Sequence, residues 1–201
     1  MWIKICGMTS AEAVEAALAA RVEAIGFVFS PSRRHVTVAE AAELARPARG
    51  RVPLVAVTRH PSQRLLEEIF GQFRPDVWQS DAEDVESLRA PAGLAVLPVV
   101  RAGQAVPPRL PARVLYEGPR SGAGEACDWT GAERIARRTE LVLAGGLDAG
   151  NVARAVASVR PFGVDVSSGV EDSPGLKSPE KILRFAEAAR AALGANEEEG
   201  R

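Results

Sequence analysis

Short runs of apolar, β-branched residues alternate with stretches of helical periodicity along almost the whole chain. Trp2–Ile5 reads as a strand running into Cys6 and Gly7, and Ser10 caps an alanine-rich helix over Ala11–Ala20. A second apolar run spans Ala24–Phe29, and Thr37 caps a helix through about Ala45. Val52–Val57 is continuous and β-branched, the pattern of a strand buried on both faces. Ser62–Phe73 carries Leu65, Leu66, Ile69, Phe70 and Phe73 at helical spacing, which predicts a core-facing stripe. Asp76–Gln79 predicts a short strand and Ala82–Leu88 an acidic helix. Ala95–Val100 is the fifth strand. Three prolines and a glycine between Ala102 and Ala112 predict that the helix after it is truncated or missing. Arg113–Tyr116, Leu141–Ala144 and Gly163–Val166 complete eight strands, with helices over Trp129–Arg138, Gly150–Val159 and Pro179–Leu193.

Eight strands with intervening helices in 201 residues predict an α/β fold: a compact single-domain (β/α)8 barrel over residues 1–193, with a disordered tail over 194–201. A doubly wound open sheet is the alternative, and the missing G-x-G-x-x-G turn after the first strand weakens it. The chain is 46% hydrophobic and 25% charged, so a full core is available to either fold. Formal net charge is −1 with no long basic block, which removes the electrostatic reason to expect nucleic acid or an anionic membrane as a partner. The two cysteines, Cys6 and Cys127, lie far apart without metal-ligand spacing, so neither a disulfide framework nor a metal site is expected. With no signal-peptide pattern and no apolar run of transmembrane length, the reading is a cytoplasmic protein.

Reactive groups of a barrel cluster just past the strand ends. There the chain presents Cys6, the loop Ser30–His35, Thr58, Gln79 with Asp81, Arg101, Glu117, Gly145–Gly146 and Ser167–Gly169. A lone cysteine is more often a small buried hydrophobe than a reactive group. The small-residue turns after strands seven and eight expose backbone N–H groups where many barrels hold phosphate, which predicts a phosphorylated small-molecule substrate. Arg34 has the fork to clamp a carboxylate, although a solvated loop arginine reads the same way. Glu117 is a strand-end carboxylate, and His35 and His60 are read as surface or loop residues.

Lys4-Ile5-Cys6-Gly7-Met8-Thr9, Leu143–Leu147 with Asn151-Val152, and Asp165-Val166-Ser167-Ser168-Gly169-Val170-Glu171 together resemble the phosphoribosylanthranilate isomerases of tryptophan biosynthesis. Gly26–Phe29, Ser32–Thr37, Asp128-Trp129 and Pro174–Lys177 match in the same order. The resemblance implies a cofactor-free enzyme that carries out an Amadori rearrangement, with Cys6 as general base and the carboxylate ending strand six, Glu117, as general acid. It further implies that Arg34 meets the substrate's carboxylate and that Lys4, Gln79, Asp81 and Asp165 face the substrate. Gly145, Gly146, Ser167, Ser168 and Gly169 would hold the phosphate, with Gly124 joining them. Lys4, two residues from Cys6 and on the same face of the strand, is expected to favour the thiolate.

Two positions depart from the family pattern. Glutamate at 117 stands where aspartate is usual, a methylene longer and about 1.5 Å further in reach. Asp81 stands where histidine is usual, and is a reserve candidate for the acid. Two other readings remain open at this stage: a related sugar-phosphate isomerase of histidine biosynthesis, which uses aspartates at both strand ends, and a non-catalytic barrel that binds a phosphorylated metabolite. The chain is read as a monomer or homodimer.

Overall fold

The computed structural model describes residues 1–104, 106, 109–119 and 128–199, the side chains of 193–199 excepted. Eight parallel strands close into a barrel in chain order: β1 (Trp2–Cys6), β2 (Ala24–Val28), β3 (Leu54–Val57), β4 (Val77–Asp81), β5 (Ala95–Arg101), β6 (Arg113–Glu117), β7 (Glu140–Leu143) and β8 (Gly163–Val166). β8 pairs back onto β1, with Lys4 level with Asp165. Helices α1 (Ala11–Ala19), α2 (Val38–Leu44), α3 (Gln63–Glu68), α4 (Ala82–Ser87), α5 (Trp129–Ala136), α6 (Val152–Val159) and α7 (Pro179–Glu199) lie between or after the strands. The single-domain (β/α)8 architecture is thus the one the alternation predicts, and the open sheet is excluded by closure.

Local chemistry sets the helix starts. Ser10 accepts from the Ala13 N–H, Ser62 from the Leu65 N–H, and Asp128 from the Thr130 and Gly131 N–H groups. Thr37 and Glu40 form a reciprocal capping box at α2. Caps of this kind contribute about 1 kcal/mol each. No helix is present among the described residues between β5 and β6, where the prolines cluster.

Three details differ from expectation. The Ser62–Phe73 helix is α-helical only through Glu68 and widens into a π turn over Ile69–Phe73, stopped by Arg74 at φ 51°. A small antiparallel hairpin, β9 (Glu171–Ser173) with β10 (Leu176–Lys177), follows β8. The last helix continues to Glu199 rather than ending at Leu193, so 194–199 is helical rather than a disordered tail, and residues 200 and 201 lie outside the described set. An established helix adds one hydrogen bond per residue without a new nucleation cost, which carries it into the alanine- and glutamate-containing end.

Side-chain alternation decides what faces the barrel interior. Ile3, Ile5, Phe27 and Leu54 point outward into the large apolar layer beneath the helices. The opposite parity fills the interior with Leu97, Val99, Leu115, Val142 and Ala144, packed against Trp2, Val77 and Phe162. Trp2 and Phe162 sit 6.3 Å apart at the amino-terminal floor, with Arg113 stacked 4.0 Å from the Phe162 ring and paired with Glu140 at 2.7 Å. Extending the interior parity toward the carboxyl ends brings Cys6, Gln79, Asp81, Arg101, Glu117 and Asp165 to the mouth. Among the described residues, no helix is long and apolar enough to cross a membrane.

Candidate active site

Cys6 ends β1 at the mouth of the barrel and is buried. One layer below it, fully buried Lys4 donates to Asp165 Oδ1 at 2.6 Å across the β1–β8 pair. Gly26 is the register partner of Cys6, and a Cβ there would stand 3.1 Å from the Cys6 sulfur and 3.4 Å from Lys4 Nζ. Glycine there spares the sulfur a tight contact. Burial disfavours the Lys4 ammonium, but the charges of Asp165 and Cys6 outweigh it and hold Lys4 above its ordinary 10.5. Burial pushes the Cys6 thiol above its ordinary 9.0; Lys4 pulls it down and Asp165 pushes it up again. The ammonium therefore favours the thiolate as expected, without overcoming burial and the Asp165 charge.

Arg34, in the loop after β2, is already gripped. Its Nε donates to Glu171 Oε1 at 2.6 Å and its Nη2 to Oε2 at 3.0 Å. Lys177, with no exposed side-chain surface, donates to the same Glu171 Oε1 at 2.7 Å, to the Ser167 carbonyl at 2.9 Å and to the Ser167 hydroxyl at 3.1 Å. That hydroxyl donates in turn to the Cys6 carbonyl at 2.9 Å. The β9–β10 hairpin is thereby wired through Ser167, just past β8, to the strand that bears Cys6. Burial would raise the Glu171 carboxyl, but hydrogen bonds from Arg34 and Lys177 bring it down to about 2.

A depressed native pKa gives stability that is complete above the ordinary value of 4.5 and lost as pH falls through about 2. This displacement corresponds to about 3 kcal/mol. Glu171→Gln should therefore be less stable than the parent by up to that amount at pH 7. The gap should close between about pH 4.5 and pH 2, read by urea unfolding over that range. A gap independent of pH would show that the carboxylate's charge is not what stabilises.

On the other side of the mouth, Arg101 of β5 donates to Asp81 of β4 and to Glu117 of β6. Arg59 and the His60 Nε2 each lie 3.7 Å from Asp81 Oδ2. His60 Nδ1 faces Asp84 Oδ1 at 3.2 Å, and Asp84 Oδ2 accepts from the Ser80 hydroxyl and the His60 N–H. His60, in the loop after β3, thus bridges Asp81 at the end of β4 and Asp84 of α4, and one atom from each of the three lies within 4.8 Å of the others. Gln79 is buried on the interior face, and its Oε1 has no hydrogen-bond partner among the described residues.

These groups surround a cavity of about 630 Å³, a volume typical of small-molecule sites. Of the residues singled out from sequence, Cys6, Arg34, Gln79, Asp81, Glu117, Asp165, Ser167 and Ser168 line it. Lys4 does not; it lies beneath the floor and acts on Cys6 and Asp165. Gly145, Gly146 and Gly169 are not among the lining residues either. Gly145 and Gly146 turn the chain after β7 at φ 92° and 65°, and Gly169 seats the β8 loop against the Leu147 carbonyl. Gly124 lies outside the described residues. Sequence reading passed over Arg59, Glu171 and Lys177 as site residues, and treated Arg101 only as one of several strand-end groups. Its position right after a strand was the available signal.

Residues 3–188 match the family of N-(5'phosphoribosyl)anthranilate (PRA) isomerase. The N-(5'-phosphoribosyl)anthranilate isomerase of Azorhizobium caulinodans is 42% identical over 213 residues, covering 96% of this chain and 93% of that protein. The crystal structure of phosphoribosyl anthranilate isomerase from Thermus thermophilus superposes with a TM-score of 0.82 at 28% identity, covering 95% of this chain and 99% of that one. A second solved isomerase, in complex with reduced 1-(o-carboxyphenylamino)-1-deoxyribulose 5-phosphate, gives a TM-score of 0.75 at 25% identity with the same coverage. The cysteine at the end of β1, the acidic end of β6 and the closed barrel that brings them to one mouth therefore belong to a member of the phosphoribosylanthranilate isomerase family.

Proposed function

We propose that this isomerase converts N-(5-phosphoribosyl)anthranilate to 1-(2-carboxyphenylamino)-1-deoxyribulose 5-phosphate, a step of tryptophan biosynthesis, with Cys6 as general base and Glu117 as general acid. The observation that carries this is that a thiol and a carboxyl group, borne by strands on different sides of the barrel, line one cavity of small-molecule size. Glu117, acting in its protonated form against the pull of Arg101 toward the carboxylate, would give its proton to the furanose ring oxygen, and the C1–O bond would break to leave a protonated imine. Cys6 would take the proton from C2, and the electron pair would move into the C2–C1 bond as the imine nitrogen is neutralised. The enolamine would then tautomerise to the ketone. No redox partner is needed, because C1 is reduced as C2 is oxidised within one molecule.

Supporting roles follow from the geometry. The orphan Gln79 amide oxygen suits a substrate hydroxyl as donor. Arg34, whose Nε and Nη2 are held by Glu171, would offer its remaining N–H donors to the anthranilate carboxylate. Ser168, which lines the cavity, would take the phosphate. A charged, phosphorylated substrate does not cross a bilayer unaided, which is consistent with a cytoplasmic reaction.

The acid assignment is tested by steady-state kinetics on this substrate. Glu117→Gln should lower kcat by about 10²- to 10⁴-fold, the usual contribution of a positioned acid or base. Asp81→Asn should cost far less. The reverse order of losses would make Asp81 the acid.

A further inference from the structure

The two positions at which the chain departs from its family's pattern, Asp81 and Glu117, converge on one side chain. Arg101 ends β5 between them: Nη2 donates to Asp81 Oδ1 and Nη1 to Glu117 Oε1. The three side chains are nearly covered, at 7% exposure for Arg101, 13% for Asp81 and 12% for Glu117. Barrel register produces this contact. Arg101 is the direct partner of Glu117, while Asp81 is level with Val99, one interior step below. A rigid, planar guanidinium can take one carboxylate on each terminal nitrogen without changing shape.

A glutamate left to itself would sweep its carboxyl through a wide arc, because it has one more rotatable bond than aspartate. Bonded to its register partner, it is held to one orientation instead. We propose that Arg101, anchored by Asp81, is the positioning residue that lets a glutamate stand where an aspartate acid is usual. The inference rests on Glu117 being the acid.

Kinetics of Arg101→Met, Arg101→Lys, Asp81→Asn and Glu117→Gln on N-(5-phosphoribosyl)anthranilate test it, with circular dichroism to confirm folding. Arg101→Met should lower kcat by about a hundredfold, the cost of misplacing a reacting group by about 1 Å, with KM within about threefold of the parent. Arg101→Lys, which keeps the charge but not the fork, should recover part of that loss. Asp81→Asn leaves the Arg101–Glu117 bond in place and removes its anchor, so kcat should fall by about tenfold at unchanged KM.

A loss confined to KM would make Arg101 a ligand for a substrate anion and overturn the proposal. So would full kcat in Arg101→Met, or, should that variant not fold, full kcat in Asp81→Asn. An inactive parent or a fully active Glu117→Gln would instead overturn the underlying function or acid assignment. An active parent with a crippled Glu117→Gln and a normal Arg101→Met would refute the positioning role alone.

Discussion

Cys6→Ser should leave a folded barrel that turns over substrate about 10²- to 10⁴-fold more slowly, the range expected when a general base is removed. Serine occupies nearly the same space, so the tight seat against Gly26 and Lys4 is preserved and KM should stay within about threefold. What changes is acidity: a hydroxyl beside Lys4 still does not ionise near neutral pH. The parent's own thiol is held above 9.0 by burial and by Asp165, so alkylation of Cys6 should keep accelerating as pH rises past that value. Measuring kcat and alkylation together separates the base from a packing role. A Cys6→Ser enzyme retaining a tenth or more of the parent's kcat would remove Cys6 from the mechanism.

Gly169→Ala should be the most damaging small substitution for stability. A Cβ at that position would lie 1.9 Å from the Leu147 carbonyl oxygen, 2.9 Å from its carbon and 3.1 Å from the Asp148 Cα. All three atoms are backbone, so no rotamer change relieves the clash. The β7 and β8 loops would have to separate. Overpacking typically costs about 1–3 kcal/mol, and a clash confined to backbone belongs at or beyond the upper end. At this chain length that lowers the melting temperature by about 6–12 °C. The same separation would open the proposed phosphate turn, so KM should rise as well. Thermal unfolding and steady-state kinetics of the one variant read both effects, and an unchanged melting temperature would show that the loops are not locked together by this contact.

These outcomes differ in how far they could be foreseen. Cys6, Gln79, Asp81 and Glu117 were legible because a strand buried on both faces leaves a continuous apolar run, and the run's end marks where the interior side chains reach the mouth. The pairing of Lys4 with the same face as Cys6 followed from the period of two alone. Gly169 was legible as a small residue but not in its role, since contact with Leu147 arises from two loops 22 positions apart in the chain. The grip of Glu171 on Arg34 joins residues 137 positions apart, and that of Lys4 on Asp165 residues 161 apart. No local pattern encodes either.

The sequence by itself determined the alternation of strands and helices and the reactive groups at the strand ends, because these depend on propensity and on burial of neighbouring residues. Tertiary structure alone decided which charges meet. Burial raises the Cys6 thiol, and closure of β8 onto β1, which places Asp165 beside Lys4, adds a negative charge that raises it further. The stagger of β4, β5 and β6 sets Arg101 between Asp81 and Glu117. The strength of an ionic contact depends on distance and desolvation, and both are fixed only when the barrel closes.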